Sequence, residues 1–519
     1  MQTIVRIGIV VAGATMLASA YPARAEWLQA TSKHFIVYAD GDADTVKRQA
    51  EDLERFDSVF RYFQKVPERE EDASNKLTVY VVASGNAVRR LYGENSRNIG
   101  GFYQGRASGS VAFTPARGST GDERSRDEPR IVLFHEYAHH AMLGNYNAAY
   151  PAWFAEGYAE FLSTVRFDKD VFWIGAAAQH RAYTLHLGAS LPAEQLFAAN
   201  MQTLSKEQIA SLYARGWLLT HYIETDDTRR KQFGVYLEAL NAGKPSVEAA
   251  RAAFGDLKQL DRDMDKRMNA SKLPAYRISN DKLPQPAVTI RPLRAGEKAM
   301  INLRMQSDRG VNRTTAQPIL AEAVPIGARF PDDPVVQGWL AEMALDAGRY
   351  DLADAAADRA LAADPKSAQA LVYKGQVHLR RAREAKVKDP AVWQEARSWL
   401  LKANRLDSND AYTLMLYYSS FGMAGLQPTA NAKAALTRAH ELVPQDPGLS
   451  FAYARQSLID GKLDDARQAL RPLAYSAHAA ADNPAARLLA ALDGRQAVKA
   501  ALDALDATST AAGNGEGDD

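Results

Sequence analysis

The 519-residue chain contains no cysteine. That absence excludes disulfide staples, thiolate metal sites, a cysteine nucleophile and a lipidated N-terminal cysteine. Any metal must be held by His, Asp or Glu, and any nucleophile must be a hydroxyl, a carboxylate or an activated water. Neither charge is in excess, since 63 Lys and Arg face 62 Asp and Glu, so no basic field exists to attract nucleic acid. Past residue 20 there is no long apolar run, which excludes a polytopic membrane protein. What is present is ordinary: 46% hydrophobic and 24% charged residues, the composition of a globular chain rather than a disordered or collagen-like one. At about 150 residues per domain the length corresponds to two to four folding units.

The first 25 residues read as an export signal. Arg6 supplies the positive end, Ile7 to Ala20 form an uncharged and mostly apolar stretch, and Ala23-Arg24-Ala25 offers small residues where a signal peptidase cuts. Fourteen helical residues span about 21 Å, short of the ~30 Å hydrocarbon core, so cleavage after Ala25 is expected rather than a permanent anchor. The expected product is periplasmic or secreted, is not a lipoprotein, and has no membrane span after signal cleavage.

Residues 26–165 alternate strand and helix signals. His34 to Tyr38 is a short β-rich run, residues 43–64 place Val46, Leu53, Phe56, Val59, Phe60 and Phe63 on one helical face, and Leu77 to Val82 is the strongest strand. Gly101 to Gln104 and Val111 to Thr114, joined by a turn-rich segment, predict a hairpin. Residues from Gly118 to Arg126 are polar and predict a loop. From Pro129 the pattern is helical, with breaks, to about residue 270, and 166–270 form a helical subdomain. Four prolines among polar residues mark 271–297 as a linker.

Beyond the linker lies a repeat. Pro331 and Pro365, and Ala432 and Ala466, are each 34 residues apart, and Gly461 precedes Ala466 as Gly348 precedes Ala353. Small residues at these offsets let antiparallel helices pack closely, and the proline ends the second of each pair. The pattern resembles the tetratricopeptide repeat in about five copies over 298–480, the first degenerate and the second carrying about nine extra residues near Arg380 to Pro390. A capping helix is expected over 481–506 and a disordered Ser/Gly/Asp-rich tail over 507–519. An unidentified protein partner is expected at the repeats.

The chemistry is concentrated at His135-Glu136-Tyr137-Ala138-His139. On a helix, His135 and His139 lie one turn apart on the same face and can reach one ion, while Glu136 projects beside that face. Asp127, Glu128 and Pro129 suit the start of that helix and Gly144 its end. Seventeen residues past His139, Glu156 and Glu160 sit four apart in Trp153-Phe154-Ala155-Glu156-Gly157-Tyr158-Ala159-Glu160-Phe161. An acid pair among aromatic residues is a poor fit to a solvated helix surface. Glu156 is the candidate third ligand, and two histidines with one carboxylate leave zinc an open position. Glu160 can accept a hydrogen bond from the free ring nitrogen of a ligating histidine. The donor set favours Zn2+ over manganese or cobalt. His140, His180 and His186 have no partner at ligand spacing and read as ordinary surface or core residues.

These residues resemble the gluzincin branch of zinc metallopeptidases, specifically the peptidase MA-like domains of exported bacterial proteins, over roughly residues 30–270. The resemblance implies an α+β zincin-like domain, with His135, His139 and Glu156 on zinc, Glu136 as general base and Glu160 behind the ligands. It also implies peptide-bond hydrolysis of a peptide or protein substrate by a metal-activated water. An edge strand beside the metal would pair with extended peptide, and the strand from Val111 to Thr114 is its match. A donor for the oxyanion would come from a later helix, where Tyr213, His221 and Tyr222 are the candidates; an aromatic stripe packed on the core accounts for the same residues. A metzincin would need glycine at 142 and histidine at 145, where this chain has Met142 and Asn145. Peptidase–repeat proteins of outer-membrane quality control share only the domain order. The alternative is a non-catalytic repeat scaffold carrying an inactive peptidase-like domain; retention of Glu136, which metal binding does not need, favours the enzyme.

Overall fold

The computed structural model describes residues 26–93, 99–118, 128–145, 148–475, 483–493 and 502. The expected export signal, the expected polar loop beyond Gly118 and the expected tail lie outside the described residues. No described helix is long and apolar enough to cross a membrane.

The N-terminal half is built on a six-stranded mixed sheet. Its strands are β1 (Glu26–Thr31), β2 (Phe35–Gly41), β3 (Leu77–Val82), β4 (Phe102–Gln104), β5 (Val111–Pro115) and, after a further three-stranded sheet, β9 (Thr289–Pro292). The order is β4-β5-β3-β2-β1-β9. β2, β3 and β5 run parallel, while β1, β4 and β9 pair antiparallel with their neighbours. The smaller sheet joins β6 (Arg166–Phe167), β7 (Val171–Ile174) and β8 (Tyr276–Ser279).

Helix α1 (Ala43–Gln64) and the metal-motif helix α3 (Glu128–Asn145) cover one face of the large sheet, with α2 (Gly85–Tyr92) following β3. The expected helix, the strand over 77–82 and the hairpin appear at those positions. A second helical layer packs beside α3. It consists of α4 (Ala152–Ser163), α5 (Ala182–Leu187), α6 (Ala193–Phe197), α7 (Lys206–Glu224), α8 (Asp227–Asn241), α9 (Ser246–Phe254) and α10 (Leu257–Met268).

The expected linker over 271–297 is instead structural. It contributes β8 to the small sheet and β9 to the outer edge of the large one, where β9 pairs with β1 from Leu28↔Pro292 to Thr31↔Thr289. Its prolines sit between or at the ends of these edge strands, where a missing N–H costs nothing to the ladder.

From residue 295 the chain forms five antiparallel helix pairs. The first two are α11 (Ala295–Asp308) with α12 (Arg313–Arg329) and α13 (Pro334–Asp346) with α14 (Tyr350–Ala363). The third is α15 (Ala368–Glu384) with α16 (Pro390–Leu406). The last two are α17 (Ala411–Met423) with α18 (Ala430–Leu442) and α19 (Pro447–Ile459) with α20 (Leu463–Ala474), followed by α21 (Pro484–Asp493). The extra residues near 380–390 lengthen α15 and α16 to 17 residues each. Alanine lines the pair contacts: Ala353, Ala356, Ala357 and Ala360 of α14 are wholly buried.

The solenoid does not hang free. β3 is apolar on both faces, with Leu77, Val79 and Val81 directed to the α1/α3 core and Tyr80 and Val82 to the opposite side. Such a strand requires cover on both faces. The first repeats supply it: Met300, Ile301, Met305 and Trp339 close over Tyr80, Phe102, Val111 and Phe113. A ladder of rings runs across the sheet there, Tyr38–Tyr80 at 5.4 Å, Tyr80–Phe113 at 5.1 Å and Phe113–Phe102 at 4.5 Å. Later repeats return to the same domain through their turns. Asn75 Nδ2 donates to Asn409 O at 2.8 Å, and the Ala107 N–H donates to Asp446 Oδ2 at 2.7 Å.

Candidate metal centre

Two helices carry the donors. His135 and His139 stand one turn apart on α3, and Glu156 comes from α4, which is buried along its whole length. The position of α4 is set by a backbone crossing with α7. A Cβ on Gly157 would lie 2.4 Å from the carbonyl of Gly216, so only glycine permits this approach. The same crossing brings Tyr213, one turn before Gly216, over the donors.

Three donor atoms converge. His135 Nε2 lies 3.2 Å from His139 Nε2 and 3.3 Å from Glu156 Oε2, and His139 Nε2 lies 3.4 Å from the same oxygen. Tetrahedral zinc ligands about 2.0–2.2 Å from the ion are themselves about 3.3–3.6 Å apart, so the triangle has the dimensions of three ligands to one ion. The donor set of two imidazoles and a carboxylate fits the same ion. Glu156 is 1% exposed at its side chain. Burial would push the His135 imidazole down, but hydrogen bonds and charge from Glu156 and Glu160 raise it to about 10. Two buried carboxylates facing one ring require positive charge between them, as a proton or as a cation.

Glu136 is not one of the converging donors. Its Cγ faces the edge of the sheet, 3.5 Å from where a Cβ on Gly101 would be, and that Cβ would stand 2.4 Å from Val132. Glycine at 101 thus lets the chain entering β4 lie directly on α3 beside Glu136. The strand expected at this edge, Val111 to Thr114, is interior: β5 is covered by β4, whose Phe102 to Gln104 pair with Phe113 to Val111. The edge is β4, because the hairpin folds its first arm back over the outside of its second.

Glu160 accepts from His135 Nδ1 at 3.3 Å, and its other contacts come from a short turn before α5. His180 Nε2 stands 2.7 Å from Glu160 Oε2, and Arg181 grips both oxygens, with Nε 3.0 Å from Oε2 and Nη2 on Oε1. Burial alone would raise the Glu160 carboxyl; Arg181 and the two histidines hold it well below the usual carboxylate range. His180, read as ordinary from the sequence, is therefore part of this network, and Arg181 was missed. No spacing rule links them to α4. The one available signal was electrostatic, since two buried acids need more counter-charge than two histidines provide.

Of the three donor candidates on α7, only Tyr213 reaches the centre. Its ring stacks on His135 at 5.9 Å, and the Arg181 guanidinium lies 5.0 Å over it. Burial, with Glu156 and Glu136 nearby, pushes its hydroxyl well above the usual phenol range, so it keeps its proton. His221 is eight residues on, about 12 Å further along the helix. It is wholly buried there, with Nε2 3.0 Å from Pro274 O and Nδ1 accepting from Arg267 Nε at 3.2 Å. Tyr222 sits between Arg229 and Arg267, 5.0 and 4.6 Å from its ring. His140 Nδ1 lies 2.8 Å from the Tyr103 hydroxyl, and His186 is exposed.

A second group with ligand spacing, His34, Glu54 and Asp57, is occupied internally. Glu54 takes both the backbone N–H and Nδ1 of His34 at 2.8 Å, while Asp57 accepts from Arg61 Nε at 2.7 Å and from the Tyr137 hydroxyl at 2.6 Å. His34 and Arg61 balance the two acids, and the group ties α1 to the inner face of α3.

No family model matches the chain, and no curated protein matches it. Among solved structures it is similar to a thermophilic TPR protein of Thermus thermophilus, at 20% identity and a TM-score of 0.31, over 40% of this chain and 99% of that one. It is also similar to the MamA RS-1 ArsTM double mutant, at 16% identity and a TM-score of 0.26, over 34% of this chain and 91% of that one.

Proposed function

We propose that the chain is a zinc-dependent metallopeptidase of gluzincin type, with His135, His139 and Glu156 holding the ion and Glu136 as general base. The observation that carries this reading is the 3.2–3.4 Å triangle of two imidazole nitrogens and one carboxylate oxygen, with a second carboxylate, Glu136, beside it but outside it. A zinc ion bound there supplies Lewis acidity, lowering the pKa of water toward ~7 and polarising a carbonyl.

The remaining work belongs to side chains. Glu136, next to the backbone of Gly101, takes the proton from the attacking water and returns it to the leaving amine. Tyr213 keeps its hydroxyl proton and donates it as a hydrogen bond to the oxygen that becomes negative. Glu160 fixes the His135 tautomer by holding Nδ1–H, which leaves Nε2 as the lone-pair nitrogen. Arg181 and His180 keep Glu160 ionised for that task. The outer edge of β4, beside Glu136, is the place for an extended peptide to add a strand. The helical repeats are the surface for a client or partner protein.

The reading is tested by metal analysis of the exported protein beside a His135→Ala control, and by cleavage of casein or a peptide library with and without chelator. Near-stoichiometric zinc, lost in the control, and chelator-sensitive cleavage are expected. A Glu136→Gln variant that binds zinc and still cleaves at the wild-type rate would overturn the assignment of the base.

A further inference from the structure

The seam between the large sheet and the solenoid contains a cavity of ≈ 440 Å³, within the size range of small-molecule sites. It opens at the carboxyl ends of the parallel strands β2 and β3, where open α/β sheets place their ligands. Its apolar wall comes from four elements: Trp27 at the start of β1, Val82 at the end of β3, Leu91 on α2 and Met305 on α11.

Two arginines complete the lining, Arg90 from α2 and Arg309 just past α11, and among the described residues no carboxylate lines it. Arg90 makes no hydrogen bond or ion pair among the described residues. Arg309 donates from Nη1 to the Leu91 carbonyl at 3.2 Å and has no acidic partner among the described residues. Neighbouring arginines in the same stretch are neutralised. Arg291 pairs with Glu297, Arg294 with Glu297 and Asp333, and Arg304 with Asp308 and Glu342. The seam cavity is thus lined by two guanidiniums without counter-charge among the described residues, over a floor that includes an indole. Planar guanidiniums match carboxylates with two parallel hydrogen bonds, and the apolar wall has area to gain by burial.

We infer that this cavity binds an organic carboxylate with an apolar, ring-sized body, the anion on Arg90 and Arg309 and the body against Trp27, Val82, Leu91 and Met305. The bound molecule bridges α2 of the α/β domain and α11 of the solenoid. Two sources share this chemistry, a free aromatic or aliphatic acid and the C-terminal residue of a peptide. The site is separate from the metal centre and does not depend on the peptidase reading.

The test uses the full mature chain, calorimetry and tryptophan fluorescence. The probes are 4-phenylbutyrate for the free acid, N-acetyl-glycyl-phenylalanine for the peptide terminus, and 4-phenylbutanol as the neutral control. At least one of the acids binds saturably, raises the melting temperature and perturbs fluorescence, and the tighter of the two names the source. The alcohol binds at least tenfold more weakly. Arg90 is exposed, so Arg90→Ala keeps the unliganded melting temperature and weakens acid binding at least tenfold; Arg309→Gln does the same. Trp27→Phe removes the fluorescence signal while calorimetric binding persists. The inference is overturned if neither acid binds at millimolar concentration, if the alcohol binds as tightly as the acid, or if both arginine variants bind the acid like wild type.

Discussion

The candidate metal centre and the solenoid both bring helices into close contact, by different means. In the solenoid the pairs are held by small and apolar side chains, with alanine most prominent on α14, so the load is spread over five contacts. At the metal centre one crossing, Gly157 on Gly216, decides where α4 and α7 lie and hence where Glu156 and Tyr213 lie relative to α3. A repeat tolerates local change because its neighbours are alike. A three-atom ligand triangle does not, since a shift of a few tenths of an ångström in one helix spoils it. The two regions nevertheless share a core, because α11 and α13 form the second cover of the sheet.

The largest effect tests that shared core. A chain ended at residue 294 exposes Tyr80, Val82 and Phe113 on an uncovered sheet face and is expected not to fold as a soluble monomer. A chain ended at 462 loses only α20 and the residues after it, and is expected to melt within a few degrees of wild type. Circular dichroism melts and gel filtration read both outcomes. A stable, cooperative product ending at residue 294 would make the solenoid a separable module after all.

Next in size is the crossing. Gly216→Val places side-chain atoms where the Trp153 carbonyl would be 2.5 Å from Cβ, and is expected to cost about 3 kcal/mol with loss of bound metal. In the solenoid, Gly375→Ala meets Leu400 Cδ2 at 2.9 Å, the end of a side chain that can move, and is expected to cost about 1 kcal/mol. Equal costs in denaturant titrations would erase the distinction between the regions.

A smaller effect separates the ligands from what holds them. Arg181→Ala leaves Glu160 buried with less counter-charge and is expected to weaken zinc binding about 10–100-fold, measured by competition with a chromophoric chelator. Arg304→Ala, which removes a more deeply buried cation of the solenoid seam, lowers stability but leaves zinc affinity unchanged.

A pH effect is common to both regions. His221 and His440 are held down to about 4, the first by burial and then by Arg267, the second by burial. Both are neutral in the fold and bind a proton more readily when unfolded. Their contribution is therefore complete above pH ~6.5 and is lost as pH falls toward ~4, by up to about 3 kcal/mol each. His440→Phe is therefore expected to lose less melting temperature than wild type as pH falls from about 6.5 toward about 4. An unchanged slope in that variant would place the acid sensitivity elsewhere.

Much of this was legible in the residues. The 34-residue spacing gave five helix pairs, and the i, i+4 placement of His135 and His139, and of Glu156 and Glu160, put each pair on one face of its own helix. The β-rich run at Leu77 to Val82 marked a strand, although the burial of both its faces, and what covers the second, was not visible. Residues 276–279 and 289–292 were hidden by prolines and by the distance in sequence to their partners β7 and β1. His180 and Arg181 were hidden because their role depends on a carboxylate twenty residues away on another element.

Helical and strand periodicity, the small residues of the repeats and the identity of the candidate metal donors are local properties, and local stereochemistry makes them readable along the chain. Which α7 residue reaches the centre, which strand is the edge and what covers the sheet are relations between distant segments. They were decided only when backbone met backbone at Gly157 and Gly216, when the hairpin folded over β5, and when β9 returned to β1, because close packing admits one arrangement of these elements where sequence spacing allows several.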